Sequence, residues 1–242
     1  MQTFRTPFSR AYWRLATLEL KNTRMWILAA LITAIRIALK SVRIPIMENL
    51  YITMGFLPNA LGSLIYGPIL AILSAIVSDT LGALLFPVGA YFPPFALVEI
   101  MGSLIFALFL YRAPITIWRV AASKLCVNII CNILLTPIFL SWMGGTALAL
   151  LSTPRIIKNM VLFPVEAILL TLLIDAMLPA LKQLHLIPIE QVKLTLTPRH
   201  FVMLGVMFVL SAFVLFVFYS YNVSPVNYVQ GWLQALGLVV SQ

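Results

Sequence analysis

The chain of 242 residues is 62% hydrophobic and only 10% charged, with a mean hydropathy of +1.04. Soluble domains carry about a quarter charged residues, so this composition excludes a soluble globular protein and indicates a polytopic membrane protein. The formal net charge of +9 does not indicate nucleic-acid binding, because no soluble basic domain carries it and cations that flank apolar segments report membrane topology.

Residues 1–24 form a basic amphipathic segment that we expect to lie on the cytoplasmic membrane face. Its cations alternate with aromatic and aliphatic side chains: Arg5, Arg10, Arg14, Lys21 and Arg24 with Phe4, Phe8, Tyr12, Trp13 and Leu15. A secretory signal is the alternative, but the apolar run that follows contains Arg36 and Lys40 and lacks a small-residue cleavage site. The pattern therefore predicts a cytoplasmic N-terminus in a plasma-membrane protein.

Six apolar runs between residues 25 and 182 are long enough to cross a bilayer. They cover approximately 25–42, 50–66, 68–86, 94–112, 117–141 and 155–180. Gly67-Pro68 predicts a tight turn between the second and third runs. The predicted fold class is an all-α membrane protein, built as a bundle of six transmembrane helices with an extra C-terminal one.

That extra segment follows a polar linker at 183–200 and forms a C-terminal region at 201–242. Its apolar part runs from about 201 to 220 with no charged residue. We expect a seventh span, which would place the C-terminus outside; a hairpin or an interfacial helix is the alternative. Alternation of the spans places Arg112 and Arg119 on the cytoplasmic side, together with the cations that follow the sixth span, Lys182, Lys193 and Arg199.

A second group of cations falls near the predicted outer face, where the positive-inside rule does not expect it. At 100° per residue, Arg36, Lys40 and Arg43 share one face of the first span. Two more polar sets follow the same logic on later spans: Lys124 with Asn128 and Asn132 on the fifth, and Arg155 with Asn159 and Glu166 on the sixth, where Lys158 lies beside them. A charge in hydrocarbon costs at least about 2.5–3.5 kcal/mol, so such residues usually face a bundle interior or a water-filled cavity.

Two other interpretations of these cations are open. They are snorkelling interface residues, which is the favoured interpretation for Arg43, or they pair internally with Asp79, Glu99 and Glu166. The predicted outer half nevertheless holds more cations than acids, even with Glu48 included. That surplus favours an anionic ligand that arrives from outside.

Ala30, Ala34 and Ala38 repeat at four-residue spacing nearly opposite the basic face of the first span. Small residues at this spacing let helix backbones approach closely, so the face is suited either to another membrane helix or to simple internal packing. Between the third and fourth spans lie four aromatic residues, Phe86, Tyr91, Phe92 and Phe95. They fit an ordinary interfacial belt, or they supply stacking surfaces for a flat heterocycle.

Three stretches resemble one protein family: "DTLGALLFPVGAYFPPF", "GSLIFALFLYR" and "TPRIIKNMVLFPVEAILL". Together, over about residues 25–180, the chain is similar to the substrate-binding (S) components of energy-coupling factor (ECF) vitamin transporters, and in particular to their folate family. The resemblance implies a six-helix bundle that binds a vitamin at its extracellular side and is not an enzyme. It also implies partners, namely a transmembrane coupling protein and two ATP-binding subunits, so ATP is used by the partners and no cofactor is expected.

Residue by residue, the resemblance implies that Phe86–Phe95 helps to enclose the ligand, that Arg155–Asn159 lines the pocket and that the alanine face contacts the coupling protein. Combined with the charge pattern, this gives one predicted substrate-binding set: Arg36, Lys40, Tyr91, Phe92, Glu99, Lys124, Asn128, Arg155, Lys158 and Asn159. The predicted partner-binding residues are Ala30, Ala34 and Ala38, and no catalytic residue or metal ligand is predicted. Cys126 and Cys131 have the spacing of neither a zinc site nor a disulfide framework and are interpreted as buried small hydrophobes.

Three alternatives to folate capture are considered. The same machinery would serve pantothenate or another anionic vitamin. A stand-alone proton-coupled transporter would use Asp79, Glu99, Glu166 or Asp175 as proton sites. An intramembrane enzyme is disfavoured, because HExxH and GxSxG are absent from the sequence and His185 and His200 both fall in the polar linker.

Overall fold

The architecture comes from a computed structural model, which describes residues 4, 6–7, 9–47, 50–87, 91–144 and 148–188, with isolated positions at 202, 205–206, 209 and 213. For 43–47, 50–52 and 148–154 it describes the backbone only. The elements in chain order are α1 (Arg10–Glu19), α2 (Thr23–Ser41), β1 (Arg43–Met47), β2 (Leu50–Thr53), α3 (Phe56–Leu85), α4 (Phe95–Leu110), α5 (Ile117–Val127), a π-helix (Asn128–Leu135), α6 (Thr136–Gly144) and α7 (Leu148–Gln183).

The chain divides into two compact units. The first comprises Met1–Val127 with Ala167–Thr195, and the second comprises Asn128–Glu166 with Leu196–Gln242. Within the first unit, α3 is the central helix, since it packs against both α2 and α4. Among the described residues, three helices are long and apolar enough to cross a membrane, or four if α1 and α2 count as one bent span.

The predicted six-helix count is confirmed, because every one of the six apolar runs contains helix. The fourth run is the shortest, with α4 covering 16 residues. The predicted seventh span lies outside the described residues apart from the isolated positions, and so does the linker beyond residue 188. The extra C-terminal helix therefore stays a prediction.

Both helices at the N-terminus begin at polar capping residues. The Ser9 hydroxyl accepts a hydrogen bond from the Tyr12 amide at 3.2 Å, and the Asn22 side chain accepts one from the Arg24 amide at 3.1 Å. Such caps satisfy amides that have no partner inside the helix. The chain bends by 81° between α1 and α2. The predicted amphipathic segment is therefore helical from Arg10 onward and close to perpendicular to the first span.

The second predicted span begins later than the apolar run suggests. Its first residues form β2, which pairs with β1 as an antiparallel hairpin in which Arg43 pairs with Thr53. The segment is rich in β-branched residues (Ile44, Ile46, Ile52), and Pro45 cannot donate a helical hydrogen bond. Its hydropathy resembles that of a helix, but its residue types favour strand. The hairpin adds a small β element to an otherwise helical protein.

A break at Gly67 divides α3 into segments 56–66 and 68–85, as the Gly67-Pro68 pair predicts. Gly67 has a φ of +77°, a conformation that side-chain-bearing residues rarely adopt. A Cβ at this position would lie 2.9 Å from the ring of Tyr111. The turn therefore needs glycine both for its backbone conformation and for the close approach of the Tyr111 ring at the end of α4.

Helix α7 ends in a tight hydrogen-bonded cap. The Leu186 amide donates to the Leu181 carbonyl and the His185 amide donates to the Lys182 carbonyl, both at 3.0 Å, while His185 has a φ of +53°. This is the Schellman arrangement, which satisfies carbonyls at a helix C-terminus. The cap fixes the backbone of residues 184–186 at the end of α7, and the next residue, Ile187, is buried.

Candidate functional site

The first unit contains a compact cluster of charges inside its helices. Arg36 on α2 donates to Glu99 on α4 at 2.7 Å, and Lys40 approaches the other oxygen of Glu99 at 3.1 Å. Lys40 also lies 3.6 Å from Asp79 on α3. The four groups carry two positive and two negative charges. For Arg36 and Lys40 the structure therefore shows the internal pairing that the sequence left open.

A second layer of neutral groups supports this cluster. Arg36 donates to the Ser103 hydroxyl at 3.4 Å, and Ser103 donates to the Asn59 side chain at 2.7 Å. Arg36 is 2% exposed, whereas the Glu99 side chain is 30% exposed. The guanidinium is thus part of the packed interior, and the carboxylate is the accessible end of the pair.

Aromatic residues lie close to the charged cluster in the sequence, and one of them, Tyr91, also lies close to it in the structure. The Tyr91 hydroxyl lies 3.5 Å from Asp79, at the limit of a hydrogen bond. Phe92 and Phe95 make an edge-to-face contact with ring centroids 5.8 Å apart. Lys124 on α5 is buried, and its ammonium lies 4.0 Å from the centre of the Phe56 ring, a cation–π contact. The predicted site residues of this unit therefore come from α2, α4, α5 and the loop before α4.

The second unit contains a network of side-chain amides around one carboxylate. Asn128 donates to Glu166 at 3.0 Å, and Asn132 lies 3.2 Å from the Asn128 oxygen and 3.0 Å from the Asn159 oxygen. Asn128, Asn159 and Glu166 are all buried. The helix is a π-helix at this point, and π-helical turns are frequent at functional sites because they reorient side chains.

Two cations, Arg155 and Lys158, lie near the start of the part of α7 whose side chains the structure describes. Arg155 is 5% exposed and Lys158 is half-buried, one helical turn further along. The Asn159 amide donates to the Arg155 carbonyl at 2.7 Å, which orients its oxygen toward Asn132. Arg155, Lys158 and Glu166 are the only charged residues in 128–166, so this stretch carries a formal net charge of +1.

The predicted docking face of α2 is exposed along its whole length. Ala30, Ala34 and Ala38 are all exposed, whereas Arg36 on the opposite side is buried. Ala30 and Ala34 line a groove of about 340 Å³ between α2 and α3. The structure therefore places the small residues and the charged residues of α2 on different sides of the helix.

The predicted site residues thus fall into two groups. Arg36, Lys40, Tyr91, Phe92, Glu99 and Lys124 lie in the first unit, and Asn128, Arg155, Lys158 and Asn159 lie in the second. Their role in ligand binding stays a prediction. The predicted set did not include Asn59, Ser103, Asp79, Asn132 or Glu166, which complete the two networks.

Charged and amide side chains buried within apolar spans are typical of proteins that bind or move polar solutes through membranes. The fold and the two networks thus define a multi-pass membrane protein of the transport class.

Comparison with known proteins identifies the family. The family model described as "ECF-type riboflavin transporter, S component" matches residues 21–178. Proteins named "Folate transporter FolT" are similar: one from Clostridium novyi (strain NT) is 33% identical over 130 residues, which is 54% of this chain and 74% of that protein. Another, from Leuconostoc mesenteroides subsp. mesenteroides, is 33% identical over 153 residues, which is 60% of this chain and 81% of that protein.

A solved structure described as "Crystal structure of FolT bound with folic acid" has a TM-score of 0.58 and 33% identity. The match covers 62% of this chain and 91% of that one. The chain belongs to the family of S components of ECF transporters, and its similarity to FolT proteins confirms the predicted folate branch. As a member of a family of transporter components, it is expected to work with an energising module and a vitamin ligand.

Proposed function

We propose that the chain is the membrane-embedded, high-affinity folate-binding subunit of an ECF-type importer. It captures the vitamin outside and delivers it inside by means of ATP that partner subunits hydrolyse. The observation that supports this most is the 33% identity with FolT proteins, together with the similarity to a FolT structure that is bound with folic acid.

The charge of the buried side chains favours folate over riboflavin, the vitamin in the description of the family model. Folate ends in a glutamate with two carboxylates, whereas riboflavin carries no carboxylate. Arg155 and Lys158 outnumber Glu166 in residues 128–166. A stretch with a formal net charge of +1 is complementary to an acidic ligand, so folate suits this site better than a neutral vitamin.

Within the second unit, the two kinds of side chain suit the two ends of the proposed ligand. Arg155 and Lys158 would donate to the glutamate carboxylates, each through a charge-assisted hydrogen bond of about 1.5–3 kcal/mol. The pterin presents adjacent N–H donors beside ring acceptors. The Glu166 carboxylate would accept from such donors, and the amides of Asn132 and Asn159 supply both donors and acceptors.

For the first unit by itself, we infer that the exposed edge of Glu99 and the aromatic residues Tyr91 and Phe92 are ligand-binding groups. Lys40 and Glu99 keep side-chain exposures of 18% and 30%, which leaves them accessible to a solute. Arg36 holds Glu99 from the buried side at 2.7 Å and so fixes the position of the carboxylate.

We further propose that Ala30, Ala34 and Ala38 dock against the transmembrane coupling protein and that the N-terminus is cytoplasmic. The exposed alanine face allows close backbone approach, and the groove beside it can accept side chains from a partner helix. In this proposal the chain itself binds neither ATP nor another cofactor.

Equilibrium binding of purified full-length protein to a panel of vitamins tests the proposal. Folate should bind in the nanomolar range, while riboflavin and pantothenate should not compete at a hundredfold excess. Tight pantothenate binding without folate binding would reassign the cargo. Uptake that persists without ATP-binding partners and collapses with the proton gradient would instead identify a stand-alone secondary transporter.

A further inference from the structure

The N-terminal helix α1 has two faces with different surroundings. Its inner face carries Tyr12, Ala16 and Glu19, which are all buried. Tyr12 and Ala16 form a small core with Tyr111 at the end of α4. Its outer face carries exposed Arg10, Trp13 and Arg14, and exposed Lys21 and Arg24 follow in the turn and at the start of α2. One face is thus held by the protein, and the other is available to a partner.

Hydrogen bonds fix the inner face. The Tyr12 hydroxyl donates to the Ala107 carbonyl at 3.0 Å, and Arg112 donates to Glu19 at 2.8 Å. The Tyr111 hydroxyl donates to Glu19 at 3.1 Å. Burial raises the pKa of Tyr12, so this phenol stays neutral as a donor. Helix α1 is therefore rigidly attached to the end of α4.

This attachment also changes the charge that α1 presents. Glu19 is the only acidic residue in 1–24, and its carboxylate is buried against Arg112. Four cations, Arg10, Arg14, Lys21 and Arg24, are therefore exposed on α1, in the turn and at the start of α2, and no acid among the described residues pairs with any of them. An outer surface of this kind is complementary to an anionic partner.

The position of α1 indicates which kind of anionic partner this surface would bind. Helix α2 has 19 residues and is about 28 Å long, close to the thickness of a bilayer hydrocarbon core. Because α1 joins α2 at an 81° bend, an α2 that crosses the bilayer would place α1 nearly parallel to the membrane plane, at the depth of the lipid headgroups. Exposed Trp13 and Trp26 flank the bend, and indole rings favour this interface.

A cavity beside α1 has the mixed lining that a lipid molecule needs. It measures about 240 Å³ and is lined by the ion pair of Glu19 with Arg112, by the polar residues Asn22 and Arg24 and by apolar residues such as Leu15 and Met25. His185, held by the cap of α7, closes another side. A soluble acidic protein would match the cations, but it would not need the adjoining apolar wall.

We propose that α1, the turn before α2 and the end of α7 form a binding site for an anionic phospholipid of the cytoplasmic leaflet. Arg24 lies at the cavity and binds the headgroup phosphate, while Arg10, Arg14 and Lys21 add attraction to neighbouring headgroups. A basic residue near an anionic leaflet contributes about 1 kcal/mol, or roughly a fivefold change in affinity. The ion pair between Glu19 and Arg112 fixes the orientation of α1, so that its basic face stays exposed.

The test is a lipid titration of the full-length protein in neutral detergent, with the melting temperature as readout. Short-chain phosphatidylglycerol should raise the melting temperature, and short-chain phosphatidylcholine should not. Arg24→Gln should weaken the phosphatidylglycerol effect roughly fivefold, and Arg10→Gln/Arg14→Gln/Lys21→Gln on the order of a hundredfold. The charge-retaining Arg24→Lys and Arg10→Lys/Arg14→Lys variants should behave like the parent protein and serve as matched controls.

Three results would overturn the proposal. Equal shifts with the two lipids would show that the cations do not select a headgroup. An equal shift with soluble glycerol phosphate would assign the cavity to a free anion. A parent-like titration by the glutamine variants, with an acidic soluble protein captured only by the parent, would assign the face to that protein instead. All variants change exposed side chains, so unshifted melting temperatures without lipid establish that they fold.

Discussion

The guanidinium of Arg36 on α2 donates to the carboxylate of Glu99 on α4 at 2.7 Å, across 63 positions of sequence. Lys40, one helical turn beyond Arg36, approaches the same carboxylate at 3.1 Å. A single carboxylate thus contacts two cations that face the interior of the first unit. Asp79 adds a second negative charge near Lys40.

Glu99→Gln is expected to destabilise the protein more than it weakens ligand binding. The substitution keeps the size of the side chain but leaves Arg36 buried beside a neutral amide. Breaking a buried ion pair costs about 3–5 kcal/mol, and the 30% exposure of Glu99 favours the lower end of that range. The melting temperature of the detergent-purified variant measures the effect.

The double variant Arg36→Met/Glu99→Leu is the matched control for this pair. It removes both charges together, and replacing a buried ion pair by apolar residues is often neutral or stabilising. Its melting temperature should therefore exceed that of Glu99→Gln. If Glu99→Gln instead melts like the parent and loses only ligand affinity, the carboxylate acts on the ligand and not on the fold.

Sequence reasoning located the helices well because apolar runs of membrane length are a strong signal. It also found the turn at Gly67, where glycine and proline together interrupt the helix. It missed the hairpin at 43–53, because Ile, Tyr and Thr give a strand the same hydropathy that they would give a helix. Hydropathy measures burial and not backbone geometry.

The candidate site was predicted only in part, for a related reason. Arg36 and Glu99 each stand out as charges in apolar runs, but their pairing depends on which helices are neighbours. Asn59 and Ser103 gave no signal, since small polar residues are common in membrane helices. The π-helical turn at Asn128 changes the hydrogen-bond register without changing composition, so no pattern of residue types reveals it.

Gly67→Ala is expected to destabilise the first unit by about 1–3 kcal/mol. Alanine is strained at a φ of +77°, and its Cβ would lie 2.9 Å from the Tyr111 ring. Chemical denaturation of the purified protein measures the loss. Gly55→Ala is the control, because a Cβ there meets nothing within 4 Å and the φ is −60°. Equal stability of the two variants would contradict the account of the Gly67 turn.

Arg155→Ala and Lys158→Ala are each expected to weaken folate binding at least tenfold, which corresponds to about 1.4 kcal/mol. Each change removes one cation proposed to donate to the glutamate tail. Isothermal titration with folate and with a folate analogue that lacks the glutamate supplies the measurement. The analogue should bind parent and variants alike, since it has no carboxylates for these cations to meet.

Arg155→Lys separates charge from geometry, and Lys182→Ala near the other end of α7 serves as a control for neutralising a cation on this helix. The first should lose less affinity than Arg155→Ala, and the second should lose none. An unchanged affinity for folate in Arg155→Ala and Lys158→Ala would remove these residues from the site. Correct insertion is checked by monodisperse elution of each variant.

Ala34→Leu is expected to spare folate binding and to reduce ATP-driven uptake strongly. Ala34 is exposed on the face of α2 opposite the charged cluster, so its side chain does not contact the proposed ligand site of the first unit. A leucine would project into the groove of about 340 Å³ between α2 and α3 and hold a partner helix away. Ala34→Ser, which stays small, should transport like the parent.

The decisive comparison is uptake by cells that express the energising module, set against the folate affinity of the same purified variant. Full uptake with Ala34→Leu would show that this face does not dock the coupling protein, whereas loss of uptake together with loss of affinity would show that the substitution damages the fold.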